Sequence, residues 1–495
     1  MAWYNYFTIE IPMMLMSFSF LLQGPIMTNL FVYRTCYIIL QYNQSDCKQL
    51  GTNNNNITKV LEPMVQPTVN QINMANNIIN TFLPMIFCMF LGTWSDKFGR
   101  RPFMLGCHVG MLLHQGLSTI LVHFEDLSPW WFTLSSIPSM LTGGFSSIMI
   151  INNAHIIDVT TEKNRIIRLT VFGAVFSVSS AIANLVSSYI FYATSYEVIY
   201  LIGLSLITMS FFYTLFFIPE SLKEEKKPFT LKEIMNSVNV KEIIKYTIRK
   251  RENNARFYIF WLIATHIFTN FGMGDMSIIT LYLRAKLQWT LKKITLVHSA
   301  VSFGAIFGNL FVTYVLHKFL KIKDVKLVIL GITMRWLGCL LRGFATNDYY
   351  IYAAYITSFF EGFPMLMLTM ILSKLVSAEE MGKILALISV IGSLIGMLTS
   401  VMYPLIYNAT IHSFIGLFNF VSLGFWVLSG SATIYLMMAK IPHYLLAQGP
   451  NLEDEKQSRR VSSVLEATAT NQWQIVPSPS LDEVNMRRVS LSSLT

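Results

Sequence analysis

Windows of about 20 apolar residues, the length that crosses a hydrocarbon core, recur along this chain. They can be placed at 9–31, 74–95, 102–123, 129–151, 168–192, 197–218, 257–283, 293–316, 326–346, 349–373, 384–407 and 412–439. Backbone polar groups in a bilayer must be satisfied internally, so such windows fold as helices. Several contain helix-disturbing residues, as in Gly24-Pro25, Pro84 and Gly362-Phe-Pro364. Buried membrane helices tolerate these where neighbours re-satisfy the freed groups. With 53% hydrophobic and 13% charged residues among 495, a water-soluble fold is excluded. The first window is too long, and its flank too poor in basic residues, for a cleaved signal peptide. The expected fold is an all-α membrane protein with twelve transmembrane helices.

The loops orient the bundle. With the N-terminus inside, cytosolic loops and the tail hold 28 of the 37 Lys and Arg, and outer loops hold 7 (Arg34, Lys48, Lys59, Arg284, Lys286, Lys292, Lys293). That is the positive-inside asymmetry, and it accounts for the net charge of +10 without invoking nucleic acid. Three glycosylation sequons, at Asn43-Gln-Ser45, Asn56-Ile-Thr58 and Asn408-Ala-Thr410, all fall in loops assigned to the outside. The lipid bilayer is thus one expected partner. No zinc-like spacing, catalytic triad or Walker-type loop occurs, so neither enzyme chemistry nor a metal or other cofactor is expected.

Between windows 2 and 3 the sequence reads Gly92-Thr-Trp-Ser-Asp96-Lys97-Phe-Gly99-Arg100-Arg101. This run resembles the signature loop between helices 2 and 3 of the major facilitator superfamily. Gly92 lets two helices approach, Gly99 gives a tight turn, and Arg100 and Arg101 hold the loop on the cytosolic side. The resemblance implies that Asp96 faces the N-terminus of helix 11, near Gly382-Lys383, and latches one state through the helix dipole. It also implies two six-helix halves with a solute site between them. The expected organisation is a half over 1–218, a charged cytosolic linker over 219–256, a half over 257–446 and a polar tail over 447–495. Ile234, Val238, Ile243, Ile244 and Ile248 give the linker the pattern of a surface amphipathic helix. After window 8 the loop reads His317-Lys-Phe-Leu-Lys-Ile-Lys-Asp324, without the glycines.

Three stretches resemble solute carrier family 46, which includes the proton-coupled folate transporter and a lysosomal relative. They are residues 154–169 with Asp158, Arg165 and Arg168, residues 372–382 with Lys374, Glu379 and Glu380, and residues 9–34 with Glu10, Pro12 and Arg34. The departures matter equally. Where the folate carrier has a helix 5 glutamate, a helix 7 histidine and a helix 10 arginine, this chain has Gly173, Asn270 and, nearby, Thr369. Residues 284–293 contain no cysteine, so the family's bridge from the first outer loop cannot form. Folate is not implied as the solute.

Ionisable side chains within spans are costly and mark candidate coupling residues. Arg335 and Arg342 share a face of helix 9, and Glu361 sits in helix 10, where it and Arg335 could instead form a structural ion pair. Asp275 lies in the outer part of helix 7 with no cation beside it in its own helix, so it ranks first as proton carrier. His266 shares a face with Asn270, while Asp275 is offset by roughly 180°. His114 and His298 are also within spans. Cys36 and Cys47 can close a local bridge outside or remain two free thiols. Cys88, Cys107 and Cys339 are expected as packing residues. Arg459-Arg460-Val-Ser462 and Arg487-Arg488-Val-Ser490 repeat a pattern that suits a basophilic kinase; a solvated unmodified tail is the alternative. Together these readings predict a secondary transporter of a small anionic organic solute, with protons as coupling ion, at the plasma membrane. The rivals are an endolysosomal exporter and a non-transporting receptor or scaffold that signals through the tail.

Overall fold

The computed structural model describes residues 9–160, 162–222, 255–322, 324–360, 363–373, 375 and 378–438; side chains at 92, 93, 162–167 and 378–383 are among those it does not describe. Membrane-length helical rods follow one another in chain order. The first six are α1 (Glu10–Arg34, running on through a π turn to Ile39), α2 (Asn56–Phe98), α3 (Arg100–His123), α4 (Trp130–Val159), α5 (Glu162–Ala193) and α6 (Tyr196–Phe217). The rest are α7 (Ala255–Gly272 and Ile279–Leu287), α8 (Leu291–Phe311, then a π segment to Phe319), α9 (Asp324–Gly343), α10 (Asp348–Thr357 and Phe363–Ser373), α11 (Ala378–Thr410) and α12 (Leu417–Met438). Seven of these helices, among the described residues, carry an unbroken membrane-spanning apolar window. The others are interrupted by polar stretches or helix breaks. Large apolar side chains such as Phe216, Phe307 and Ile356 are well exposed, a waste in water and a gain against lipid.

The packing repeats itself. In the first half α1 packs on α5 and α6, and α3 on α6; in the second, α7 packs on α11 and α12, and α9 on α12. Between the halves, α2 packs on α11 and α5 on α8. Each of these first-half contacts has a counterpart six helices later, as expected of a repeat-built transporter fold. Within the first half, Glu10 of α1 is buried and accepts from Arg168 of α5 at 2.9 Å. Arg34, at the other end of α1, donates to the carbonyls of Leu121 and Val122 at the end of α3 and of Leu127 in the loop after it. A cation there satisfies carbonyls that have no intrahelical partner.

Two sequence-based expectations change. Residues 56–73, expected as outer loop, are helical: α2 runs 43 residues, begins in a capping box of Asn55 and Thr58, and contains Pro63, Pro67 and Pro84. At 1.5 Å per residue it spans about 65 Å, twice a hydrocarbon core, so its first turns stand outside the bilayer. Asn408, also expected in a loop, lies within α11. Its side chain accepts from Asn70 at 2.7 Å and donates to Pro67 O at 3.3 Å. Its amide is committed to α2. Cys36 and Cys47 are joined in a disulfide with Cα atoms 5.7 Å apart, which ties the end of α1 to the short helical turn Gln44–Cys47. The amphipathic linker segment 234–248 and the tail, with Ser462 and Ser490, lie outside the described residues.

Asn43 is exposed on the disulfide loop, whereas Thr58 of the Asn56 sequon is buried in the capping box. Asn43→Gln should therefore abolish most of the glycosidase-sensitive mobility shift, and Asn408→Gln should leave it unchanged. A full shift retained in Asn43→Gln would contradict this placement.

Candidate functional site

The end of the bundle that carries the disulfide is sealed by polar contacts between the halves. Arg284, in the last part of α7, donates to Glu62 of α2 from Nη2 at 2.7 Å and from Nε at 3.0 Å, and to Asn29 of α1 from Nη1 at 3.0 Å. The Arg284 and Glu62 side chains are only 2% and 3% exposed. Asn29 in turn donates to the Tyr196 hydroxyl of α6 at 2.8 Å. One turn deeper on α2, Gln66 donates to Leu281 O at 3.1 Å and accepts from the Tyr407 hydroxyl of α11 at 2.6 Å. Thr295 of α8 donates to Ser188 of α5, and Ser299 to Ala181 O, both at 2.7 Å. Among the described residues, every hydrogen bond that crosses between the halves lies at this end. Gly51 (φ +76) completes the seal: a Cβ there would fall 2.4 Å from Asn29 Oδ1 and 2.7 Å from Arg284 Nη2. Only glycine admits both the backbone conformation and the close approach.

Arg284 is aimed by a break in its own helix. The α-helix ends at Gly272, a 3-10 segment covers Met273–Ser277, and helix resumes at Ile279. Asp275, in that segment, accepts from Arg342 Nη2 of α9 at 2.6 Å, and its other oxygen lies 3.7 Å from Arg335 Nη2. All three side chains are buried. Arg342 also donates to Asn419 of α12 at 3.2 Å. The Tyr403 hydroxyl of α11 donates to Phe271 O just before the break, and the Tyr282 hydroxyl just after it donates to Arg342 O at 2.6 Å. The sequence gives Asp275 no cation beside it in its own helix; its arginines come from α9, 60 and 67 positions away in the chain. The two guanidinium groups fix the Asp275 carboxylate to α9, which gives it a positional role in holding α7.

The histidines separate. His266 is buried on α7 with Nδ1 3.0 Å from the Met365 sulfur of α10, and its Nε2 has no hydrogen-bond partner among the described residues. Asn270 donates to His266 O at 2.8 Å, leaving its Oδ1 3.9 Å from where a Cβ on Gly392 of α11 would stand. The 3-10 break rephases the helix, so His266 meets α10 while Asp275 meets α9. His114 bonds Ser135 O at 2.9 Å within the first half. At Gly173 a Cβ would meet nothing within 4 Å. Glu361 lies outside the described residues, as does the side chain of Arg165.

At the opposite end the signature loop contracts to one residue. Asp96 is still inside α2, Arg100 opens α3, and Gly99 (φ +103) alone makes the turn. Arg100 pairs with Asp96 and donates from Nε to Asp158 at 2.9 Å. Glu220, just past α6, accepts from the Arg100 and Arg101 backbone N–H groups at 2.8 and 3.3 Å. Glu220 occupies the anion position at the start of α3. Ser221 adds a hydrogen bond to Asp158 at 2.9 Å. Asp96 is therefore held in part by its own loop. The side chains at the start of α11, its expected partner, are not described. Gly92 lies within the last turns of α2. Sequence reasoning gave no site role to Glu62, Arg284 or Glu220. All three stand in stretches read as loop or linker, where a charge reads as solvated.

The Major Facilitator Superfamily profile matches residues 13–400. Among curated proteins, the chain is 26% identical over 425 residues to the probable peptidoglycan muropeptide transporter SLC46 of Drosophila melanogaster, covering 83% of this chain and 82% of that one. It is 25% identical to the proton-coupled folate transporter of Rattus norvegicus (86% and 90% covered). It is also 25% identical to the lysosomal proton-coupled steroid conjugate and bile acid symporter SLC46A3 of Gallus gallus (83% and 86%). Among solved structures, the peptide-transporter-family protein PepTSo aligns with a TM-score of 0.63 at 12% identity, over 88% of this chain and 98% of that one. The human organic anion transporter MFSD10 aligns with a TM-score of 0.60 at 13% identity (87% and 99%). These two likenesses concern the fold.

Breaking a buried ion pair from one side costs about 3–5 kcal/mol, because the other charge stays buried without a partner. Glu62→Gln and Arg284→Gln should therefore weaken the outer seal by roughly 100-fold or more. A cysteine at buried Val69 should then react much faster with an impermeant thiol reagent applied outside, and the swap Glu62→Arg with Arg284→Glu should restore part of the protection. Equal reaction rates in all variants would remove the pair from the seal. For the inner cluster, Asp275→Asn leaves Arg342 without its carboxylate partner and should destabilise the folded protein by about 3–5 kcal/mol, read as a clear drop in melting temperature in detergent. Wild-type melting would refute this structural role.

Proposed function

Because the chain belongs to the Major Facilitator Superfamily and groups with solute carrier family 46, we propose that this multi-pass membrane transporter carries a small organic anion by alternating access, coupled to protons. The observation that carries the reading is the Arg284 seal. A desolvated ion pair joins the two halves at the outer end, with all described cross-half hydrogen bonds at that same end. A closed outer end is one of the two states alternating access requires. Once the halves part, Arg284 is freed from Glu62 and stands at the mouth of the path, where a guanidinium suits a carboxylate or sulfate bidentately.

Deeper in the path, the solute-facing positions on α7 are His266 and Asn270, with Met365 across from them on α10. His266 Nε2 is free to bond a solute, and Met365 offers a polarisable apolar wall. The relatives' names give folate, bile acids, steroid conjugates and muropeptides as solutes, which points to an organic acid here. Gly173, Asn270 and Thr369 in place of the folate carrier's ionisable groups argue for a different acid. Proton coupling follows the two relatives named as proton-coupled, and with Asp275 fixed between Arg335 and Arg342 on α9, Glu361 and His266 are the groups we propose to carry it. Asp96 and Arg100 form the latch at the cytosolic end, and we place the protein at the plasma membrane.

Uptake into vesicles at pH 5.5 and 7.4, tested against folates, muropeptides, steroid conjugates and bile acids, checks this reading. At least one acid should accumulate faster at pH 5.5 outside, and Arg284→Gln should cut that uptake by tenfold or more. Transport confined to neutral or cationic solutes, or uptake indifferent to pH, would overturn the anion and proton assignments respectively.

A further inference from the structure

Outside the Arg284 seal the halves frame a cavity of about 550 Å³. Lys59 enters it from α2, one turn before Glu62; Lys286 enters from α7, two residues after Arg284. The start of α10 supplies Asn347, Asp348, Tyr349 and Tyr352. The cavity is thus lined by both halves. Its carboxylate is already engaged: Asp348 accepts from the Trp289 indole at 2.6 Å and pairs with Lys293. Neither Lys59 nor Lys286 has an acidic partner among the described residues. Asn347 precedes the first turn of α10, and its side chain makes no capping bond. Both tyrosines are exposed, Tyr349 at 80%. Four of the chain's seven outer cations, Arg284, Lys286, Lys292 and Lys293, fall within ten residues of this rim, so the local potential is positive.

We propose that this cavity is an outward-facing binding site for an aromatic organic anion with two acidic groups. The two ammonium groups, one from each half, take the acids, and Tyr349 and Tyr352 take the rings. The site is distinct from the transport path in this state, because its occupant lies beyond the closed seal. It also has a conformational consequence. Lys59 and Lys286 face one cavity only while the halves are closed at this end, so a ligand touching both favours the outside-closed state by its differential affinity. Bound from outside, such an anion slows the transport cycle instead of entering it.

The test uses the full-length protein in detergent and a non-reactive stilbene disulfonate as probe, with binding followed by equilibrium dialysis. Wild type should bind one equivalent saturably, with affinity falling as salt rises, since both contacts are exposed charges. Lys59→Gln with Lys286→Gln should weaken binding by at least tenfold while the melting temperature stays the same. Glu62→Gln, which removes no lining residue but loosens the seal, should also weaken it severalfold. Saturable binding unchanged in the double lysine variant, or no saturable binding to wild type, overturns the site. Binding lost in the lysine variant yet unaffected by Glu62→Gln overturns its dependence on the closed state.

Discussion

Removing a carboxylate and a guanidinium from water costs several kcal/mol each, and their attraction recovers this only when the geometry is good and the remaining donors are satisfied. Glu62 and Arg284 meet that condition by recruiting helices from both halves. Arg284 spends three donor contacts on Glu62 and Asn29, Asn29 passes its own donor to Tyr196, and Gly51 clears the space. The pair is strong only while it is dry and fully partnered. Any motion that admits water lowers its worth sharply, so the seal behaves as a two-state contact and not as a spring. That property suits a carrier that has to spend its time in discrete states.

The seal would be useless if Arg284 could wander, and the second buried cluster prevents that. The 3-10 break in α7 frees backbone groups inside the bundle, where orphaned polar groups are costly. Tyr403 takes up the Phe271 carbonyl, while Asp275 and Tyr282 fasten the two sides of the break to Arg342 on α9. The segment that carries Arg284 therefore moves with α9 and α12. The cluster joins α7 to α9 and serves position, which explains why its members are buried.

The bundle itself was legible because membrane helices announce themselves through length and apolarity, and the orientation because basic loops do. The signature run at 92–101 identifies the fold from ten residues. What failed was anything that depended on pairing across the chain. Glu62 and Arg284 are 222 positions apart, and both fell in stretches read as outer loop, where charges are ordinarily solvated. Pro63, Pro67 and the asparagines around them carry turn chemistry in water, so the first 18 of the 43 residues of α2 read as loop; neighbours in the bundle override that local preference. Asp275 ranks first as proton carrier from sequence because spacing along one helix finds partners only on that helix, and its arginines stand on α9. Arg342 was in view as one of a same-face pair on helix 9, but periodicity along one helix does not say which neighbour that face meets.

The two ends of the molecule are held together differently, and the difference bears on how the halves could rock. At the outer end the described polar contacts run between halves. At the cytosolic end they run within the first half: Arg100 joins Asp96 and Asp158, Glu220 caps α3, Ser221 reaches Asp158, and Glu10 ties α1 to Arg168 of α5. Those bonds tie the cytosolic ends of α1, α2, α3, α4 and α5 of the first half to one another. A rigid first half suits a rocking motion, and among the described residues the hydrogen bonds that such a motion would break are the cross-half ones of the outer end. Glu220 links this rigidity to the chain's organisation: the first residues after α6 are docked onto the α2–α3 turn, so the segment leading to the second half departs from a fixed point. A change in the linker can reach the latch residues through that point, without contacting either the seal or the solute.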